Sequence, residues 1–382
     1  MEWTRLPFDA RLEGYEAQAR ELLAAHGAGD AEAVRILHQR NPRFLDEKIK
    51  WLPKRIPESE VREAALDMDD ARLTLARWYD FPDWEGLAEY AVAVTRDPAV
   101  RRFEAAVETV IGGDLPALED ALRKDPELAR ARSTRVCCFD PPRHRATLLH
   151  YVAANGVEGY RQKTPANAVE IARKLLEAGA EVDALADMYG AACTTMSMLV
   201  SSSHPAKAGV QVPLVELLLD FGAALEGRGT KKWGTPLDTA LAFGFWAAAE
   251  ALARRGARVG LPAAAGLGRG DELRRLLVDA DEETRHRALA LAAQHGHAEI
   301  VRLLLDAGED PNRFNPEGNH AHSTPLHHAA VAGHDAVVRL LVERGARLDI
   351  RDRIWQATPL GWAEHGGQTG IAEYLRSRGA VS

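Results

Sequence analysis

The sequence is poor in cysteine and has no long apolar run. It contains three cysteines, two of which, Cys137 and Cys138, are adjacent. An even framework of disulfides is therefore excluded, and free thiols are expected. No basic stretch followed by an apolar one stands at Met1–Phe8, and no later segment is apolar over the length of a bilayer span. We expect a cytoplasmic protein without a membrane partner.

The sequence also lacks an excess of positive charge and the local motifs of common enzymes. Its net charge is -8, from 48 Lys and Arg against 56 Asp and Glu. This balance argues against a nucleic-acid partner, because phosphate binding needs clustered basic side chains. The nucleophile elbow, the H-E-x-x-H pair and the phosphate-binding loop are missing, and Gly266–Gly270 is interpreted as a turn. No cofactor and no catalytic residue is predicted.

What the sequence does contain is one short phrase at a fixed period. Thr324–Ala330 reads Thr-Pro-Leu-His-His-Ala-Ala, and its opening recurs at Thr358–Leu360 and Thr235–Leu237. The copies that begin at Thr324 and Thr358 lie 34 residues apart. A second landmark is an apolar run that ends at a glycine, in most copies followed by alanine. This landmark ends at Gly179, Gly222, Gly256, Gly308, Gly345 and Gly379.

Each full copy predicts two helices joined by a tight turn. Apolar residues recur at helical spacing on both sides of a polar turn, where Gly333 can end one helix and Asp335 can cap the next. Pro325 suits a first helical turn, since its missing N–H would be unpaired there. Such a pair cannot bury its apolar face alone, so stacked neighbours must complete the core.

The period and the Thr-Pro-Leu-His-x-Ala phrase resemble the ankyrin repeat, here of a bacterial type with degenerate N-terminal repeats. The resemblance implies an all-α solenoid of stacked helix pairs with short β-like fingers and an N-terminal helical cap. It implies a scaffold that binds another protein. It also implies that His327 bonds the Thr324 hydroxyl and ties its helix to the neighbouring finger.

Two domains are expected, an N-terminal helical cap over residues 1–100 and an ankyrin-repeat domain over 101–382. The turn-and-cap pairs Gly29-Asp30, Gly113-Asp114 and Gly270-Asp271 resemble the repeat turn and are interpreted as degenerate helix pairs. Terminal repeats are atypical because one face must meet water.

Two central repeats carry insertions at the turn between their helices. Gly156 to Gly179 takes 23 residues where Gly333 to Gly345 takes 12. The inserted loops, 157–166 and 203–211, should touch and form one surface with the next repeat. An alternative function is therefore an enzyme or small-molecule-binding protein with a pocket for a small polar or anionic ligand. The simpler interpretation is that the aromatic residues only cover the loops. The candidate pocket residues are Tyr160, Arg161, Lys163, Asp187, Tyr189, His204, Phe245 and Trp246.

Residues 130–145 hold five arginines and one aspartate. This finger is predicted to bind an anion and to lower the thiol pKa of Cys137 or Cys138. The alternative is a solvated loop whose arginines pair with acidic helices. The candidate anion-binding residues are Arg132, Arg135, Arg143 and Arg145.

Histidines crowd the C-terminal repeats, and the repeat pattern leaves His320 and His322 without a structural role. No metal site is predicted, because no cysteine or carboxylate accompanies them at ligand spacing. Trp233, Arg353 and Trp355 lie near finger tips and are predicted to anchor a protein partner, since exposed tryptophan and arginine dominate interface energetics. The alternative is that they pack between adjacent fingers.

Overall fold

The computed structural model describes residues 3–229 and 234–381. The chain forms two compact units, Met1–Val210 and Gln211–Ser382. The predicted all-α architecture is confirmed, with a short hairpin as the strand structure of the described residues. A helix, Pro98–Gly112, runs through the predicted boundary at residue 100. The division into a cap and a repeat domain stays a prediction.

The first unit is built from helices that pack as neighbours along the chain, with one hairpin and three short 3-10 turns. The turns are Pro42–Phe44, Pro126–Ala129 and Gly159–Arg161, and the hairpin pairs β1 (Ala186–Met188) with β2 (Ala191–Cys193) in antiparallel register. Its helices are α1 (Leu12–Gly27), α2 (Ala31–Arg40), α3 (Glu58–Glu63), α4 (Met68–Trp78), α5 (Trp84–Arg96), α6 (Pro98–Gly112), α7 (Leu115–Lys124), α8 (Leu148–Val152), α9 (Ala168–Glu177), α10 (Thr195–Leu199) and α11 (Ser203–Lys207).

The second unit is a regular stack. Its helices are α12 (Gln211–Asp220), α13 (Pro236–Ala242), α14 (Trp246–Arg254), α15 (Leu261–Gly266), α16 (Gly270–Leu277), α17 (Glu282–Gln294), α18 (Ala298–Asp306), α19 (Pro325–Ala332), α20 (Asp335–Glu343), α21 (Pro359–His365) and α22 (Thr369–Ser377). First helices pack in the series α13, α15, α17, α19 and α21, and second helices α16, α18, α20 and α22 pack beside them. Alanines on the first helices, such as Ala292 and Ala329, are fully buried and allow close approach.

The Thr-x-x-His phrase caps a helix and links two repeats. Thr324 Oγ1 lies 2.8 Å from His327 Nδ1, and His327 Nε2 donates to the Ala357 carbonyl at 3.3 Å. The predicted role of His327 is therefore confirmed. Thr147 and His150 repeat the geometry in the first unit at 2.9 Å. The nitrogen that donates to a carbonyl must carry the proton, so the other nitrogen accepts from the threonine.

The turn residues act largely as predicted. Gly333 has φ +84° directly after α19, where a left-handed residue costs glycine little. Asp30 and Asp114 accept backbone N–H groups at the starts of α2 and α7, as expected. The expectation that Asp335 caps its helix is wrong. Asp335 is already the first residue of α20, and its carboxylate pairs with Arg339 at 2.8 Å.

Candidate functional site

A cleft of 410 Å³ opens in the second unit beside the fingers. Its walls come from three separate segments, which are the end of α13, the long finger before α19 and the finger before α21. The lining residues are Ala242, Phe243, Glu317, Gly318, His320, Ala321, His322 and Arg353. Phe243 is 40% exposed at one side, and Trp355 is 37% exposed beside the cleft residue His322, with their rings 5.3 Å apart.

The arginine of the cleft is held by the neighbouring finger. The Arg353 guanidinium lies 4.1 Å above the Phe314 ring and donates through Nη1 to the Ala321 carbonyl at 3.3 Å. The Arg353 backbone N–H donates to the His322 carbonyl at 2.8 Å. Because one face of the guanidinium rests on an aromatic ring, its cation is fixed in place at the wall.

Asp352 fixes the finger that carries Arg353 and Trp355. This fully buried carboxylate accepts the backbone N–H of Trp355 at 2.6 Å and of Ala357 at 2.9 Å, and the Trp362 indole N–H at 3.1 Å. Burial raises the pKa of Asp352, but these hydrogen bonds outweigh it, so the pKa is lowered. The aspartate therefore stays ionised and orders the finger tip.

The histidines of this unit satisfy the open ends of first helices. The Nε2 atoms of His295, His297 and His334 donate to the carbonyls of residues 241, 266 and 294, each at 2.9 Å. His320 does the same to the Ala242 carbonyl at 2.7 Å. The expectation that His320 has no structural role is therefore wrong, because carbonyls at the end of a helix lack a partner within it.

The histidines of the cleft are uncharged near neutral pH. Burial lowers the pKa of His320 and of His322, and it lowers that of His328 beneath them well below its usual value. The fixed charges of the wall are then the Arg353 cation and the Glu317 anion. Aromatic faces, neutral imidazoles and one charge of each sign suit a polypeptide surface rather than a simple ion.

Two of the three predicted partner anchors meet at this cleft. Arg353 lines it, and Trp355 lies beside it but also packs on Trp362 with ring centres 5.8 Å apart. Packing between fingers, the alternative, thus accounts for part of the Trp355 surface. Trp233 lies outside the described residues. Sequence reasoning missed Phe243, although its aromatic ring replaces the alanine found at Ala332 in the regular repeat.

The first inserted loop does not form an outer surface, because it folds inward. Arg161 is 0% exposed, and its Nη1 and Nη2 atoms lie 2.7 Å from Glu104 Oε2 and 3.1 Å from Glu108 Oε1. These contacts are ion pairs whose angles fall outside hydrogen-bond geometry. Glu158, from the same loop, lies 4.0 Å from Arg161 and 3.3 Å from the buried Arg135. The insertion is therefore part of the interior of the first unit.

The buried charges of this network remain ionised. Burial opposes the cation of Arg161, but Tyr160 and Glu104 outweigh it and raise its pKa well above the usual value. Burial likewise opposes the anion of Glu158, and the two arginines Arg135 and Arg161 hold its pKa below the usual value. Paired burial of this kind keeps two charges stable where one alone would be neutralised.

The predicted pocket residues are not gathered in one place within the first unit. The half-buried Tyr160 accepts a hydrogen bond from Arg135 Nη1 at 3.0 Å, close to the buried Arg161. Lys163 is exposed on the first inserted loop, and His204 is exposed on α11. Asp187 and Tyr189 lie at the hairpin, where the Tyr189 hydroxyl donates to Asn155 at 2.8 Å. The expectation of an exposed Arg161 is wrong, since its acidic partners draw it inside.

The remaining two members of that set, Phe245 and Trp246, belong to the second unit and start α14, where Trp246 is 44% exposed. Each unit stands by itself, so a common pocket of all eight residues stays a prediction. The segments that directly precede the two insertions contact each other within the first unit. Asn155 donates to Ser201 Oγ at 2.8 Å, and the Ser202 hydroxyl donates to the Ala154 carbonyl at 3.1 Å.

A family model described as Ankyrin repeats (3 copies) matches residues 261–352 and 316–381. The human Cyclin-dependent kinase 4 inhibitor B (Homo sapiens) is 36% identical over 126 residues, which cover 32% of this chain and 88% of that protein. The chain belongs to the ankyrin-repeat family.

Larger ankyrin-repeat proteins share only a part with this chain. Ankyrin repeat and SAM domain-containing protein 6 of Mus musculus is 38% identical over 100 residues, 26% of this chain and 11% of that protein. Protein fem-1 homolog A-like of Mus musculus is 39% identical over 90 residues, 24% of this chain and 13% of that protein. The chain therefore spans about an eighth or less of these two relatives.

Membership settles the class of function. Ankyrin repeats are protein-interaction scaffolds, and this chain is such a scaffold. Nothing in these matches supports the alternative of an enzyme built from the inserted loops. Among the described residues, no three His, Cys, Asp or Glu side chains are placed to hold a metal ion. No helix in the described ranges has the length and apolar character to cross a bilayer.

The arginine finger of this ankyrin-repeat protein is held by backbone carbonyls. Arg132 Nη1 donates to the carbonyls of Arg145 and Leu185 at 3.0 and 2.6 Å, and Arg143 Nη1 donates to that of Thr134 at 3.0 Å. The buried Arg135 pairs with Glu158, which belongs to the first inserted loop and not to a helix, so this contact is not the predicted pairing of a solvated loop with acidic helices. Anion binding by Arg132, Arg135, Arg143 and Arg145 stays a prediction.

The expected activation of the finger thiols is wrong. Burial raises the pKa of Cys137 to about 12 and also raises that of Cys138. The Cys137 sulfur lies 3.0 Å from His144 Nε2, and both side chains are buried. Burial outweighs the nearby cations, since Arg135 acts to lower the pKa of Cys137, and Arg77 and Arg40 act to lower that of Cys138.

Proposed function

We propose that this ankyrin-repeat scaffold grips a protein partner through the cleft of its second unit, with Phe243, Arg353 and Trp355 as the main contacts. The observation that carries this proposal is the pair of exposed aromatic rings, Phe243 and Trp355, at a cleft that also holds a fixed arginine. Aromatic and arginine side chains at the centre of a patch supply most of the binding energy in protein interfaces.

The shape and rigidity of the cleft support the proposal. A cleft of 410 Å³ holds a side chain or two of a partner rather than a whole helix. Asp352 and Phe314 fix Trp355 and Arg353 before binding, which reduces the entropy lost on association. We also propose a cytoplasmic location, which the free thiols Cys137, Cys138 and Cys193 support.

The proposal is tested by photo-crosslinking in cells of the source organism. A benzophenone amino acid is placed at Phe243 and, as a matched control, at Val278, which is 82% exposed in the same unit. The expected result is a discrete crosslinked protein from position 243 that is absent from position 278. That crosslink should fall about tenfold when Arg353→Ala is added, because a buried interfacial arginine is worth one to several kcal/mol.

Equal crosslinking from positions 243 and 278, or a crosslink at 243 that is unchanged by Arg353→Ala, would rule out the cleft as the docking site. Circular dichroism of each variant checks that the repeats remain folded. Trp355 is left unchanged in this test because it also packs on Trp362.

A further inference from the structure

A second surface lies in the first unit, on the loop between α2 and α3. Trp51 is 63% exposed at the tip of this loop. The base of the loop is closed by an antiparallel bridge between Leu45 and Pro53 and by a hydrogen bond from the Asp46 N–H to the Leu52 carbonyl at 2.7 Å. The Trp51 indole is therefore exposed to solvent on an ordered loop.

A cleft of 470 Å³ lies against the same loop. Pro42 and Leu45 give it an apolar part, and the charged residues that line it are Arg43, Asp46, Glu47, Lys50, Lys54 and Arg77. Asp46 is an anion of this lining, and its Oδ1 accepts the N–H groups of Lys48 and Ile49 at 2.8 Å each. Those hydrogen bonds hold the pKa of Asp46 below its usual value.

The lining of this cleft carries more cations than anions. Arg43 is paired with Asp70 at 3.0 Å, and Lys54 Nζ donates to the Arg43 carbonyl at 3.0 Å while its cation also acts on the Asp46 carboxylate. Lys50 is exposed, and the buried Nε atom of Arg77 makes no hydrogen bond to the described residues. Against the cations of Lys50, Lys54 and Arg77 stand two anions, Asp46 and Glu47, so this part of the lining keeps a small net positive charge.

We infer that the surface formed by Trp51 and this basic cleft, the Trp51 surface, binds an acidic segment of a protein partner, with carboxylates at Lys50, Lys54 and Arg77 and an apolar side chain on Trp51. It is independent of the cleft proposed above, which lies in the other unit. The chain as a whole has a net charge of -8, so a basic patch on it differs in sign from the rest of the surface. Such a patch is complementary to an acidic partner.

A short peptide fits this surface better than a nucleic acid or a membrane. Exposed charges act over a Debye length of about 8 Å at physiological salt, so a short acidic segment senses the patch alone. A long polyanion or an anionic bilayer covers more of the chain and meets its excess of acidic residues. The volume of the cleft matches a side chain or two of a peptide rather than a whole helix.

The test measures fluorescence anisotropy of a fluorescein-labelled peptide, EEDLEEDF, with the full chain. The comparison set is the same peptide with glutamine and asparagine in place of the acids, a single-stranded DNA oligonucleotide, and vesicles containing phosphatidylserine. The variants are Lys50→Glu and Trp51→Ser, and the matched control is Lys207→Glu, an exposed lysine elsewhere in the same unit.

The acidic peptide should bind, and the neutral one should not. Lys50→Glu and Trp51→Ser should each weaken binding about tenfold, because each removes a main contact, whereas Lys207→Glu should change it less than about twofold. Equal binding of the neutral peptide, or unchanged affinity in both Trp51-surface variants, overturns the inference. DNA or vesicle binding that needs Trp51, without peptide binding, also overturns it. The same titration with Phe243→Ser tests the cleft of the second unit, and peptide binding that falls only in that variant assigns the peptide there and likewise overturns the inference.

Discussion

At the scale of single residues, histidine joins the repeats of this protein. His327 is fully buried, and it bonds Thr324 on its own helix and the Ala357 carbonyl of the next finger. A side chain that satisfies two groups cannot be replaced by a smaller one without leaving a buried carbonyl unpaired.

His327→Ala should therefore lower the free energy of unfolding by about 3 kcal/mol, from the lost bonds and the cavity together. His365→Ala, on exposed surface at the end of the neighbouring α21, should change it by less than about 0.5 kcal/mol. Urea denaturation followed by circular dichroism measures both. Equal losses in the two variants would mean that the His327 bonds contribute nothing net.

The buried histidines also make the stability of the folded state depend on pH. Burial lowers the pKa of His150 and of His327 to about 4, against about 6.5 in an unfolded chain. Above pH 6.5 neither state binds the extra proton, and stability is complete. Between pH 6.5 and 4 the unfolded state binds more protons, so stability falls as the pH falls.

Each of these histidines should remove about 2 kcal/mol of stability at pH 5 relative to pH 7.5. Urea denaturation at several pH values measures how steeply the free energy of unfolding falls with pH. The fall should be shallower in His327→Gln than in the wild type, because the variant lacks one histidine that is protonated on unfolding. Carboxylate effects are common to both proteins and cancel in the comparison. Parallel pH profiles of the two proteins would show that His327 takes up no proton on unfolding.

At the scale of elements, the first inserted loop is a buried strut rather than an open pocket. Arg161 connects this loop to α6 through Glu104 and Glu108, and Glu158 links it to Arg135 of the arginine finger. Breaking a buried pair costs more than the pair contributes, since it leaves a charge uncompensated.

Arg161→Met should destabilise the first unit by about 3 to 5 kcal/mol, because Glu104 is then buried without its cation. Lys163→Met, two residues on and exposed, is the matched control and should be within about 0.5 kcal/mol of the wild type. Adding Glu104→Gln to Arg161→Met should recover part of the loss by removing the unpaired charge. If the loss of unfolding free energy in the double variant equals the sum of the two single losses, the ion pair is not the cause.

These elements also show what the sequence could predict. The helix pairs of the second unit follow from Thr-Pro-Leu and Gly-Ala landmarks, because caps and turns are local. The sequence could not predict that the first inserted loop folds inward, because Arg161 and its partner Glu104 are far apart in the chain and share no local pattern. Arg353 was found as a finger-tip arginine. Phe243 was missed, because its exposure depends on how the long finger before α19 folds.

At the scale of the molecule, each of the two compact units contains buried apolar clusters of its own. One buried cluster of the first unit contains Tyr15, Leu75 and Val94, and the cluster of the second unit extends from Leu261 to Ala380. In a stack of repeats each helix pair contacts its neighbours, so a local loss of stability spreads only a short way.

This predicts a localised response to the two destabilising variants. In native-state hydrogen exchange, Arg161→Met should speed amide exchange in α6 and α8, whose segments surround the buried network, and leave α19 to α22 unchanged. His327→Ala should do the reverse, because Thr324 and Ala357 belong to the second unit. The two variants thus act as controls for each other.

The opposite result has a definite physical meaning. If either variant accelerates exchange equally in α6 and α21, the whole chain opens as one cooperative body, and the free energy lost at one site is shared by all helices. If exchange changes only near each substitution, partner binding at the cleft of the second unit can stabilise that unit alone. A ligand raises the stability only of the region whose opening abolishes its site, so a bound partner should then slow exchange in α13 and α19 to α21 and leave α1 to α4 unaffected.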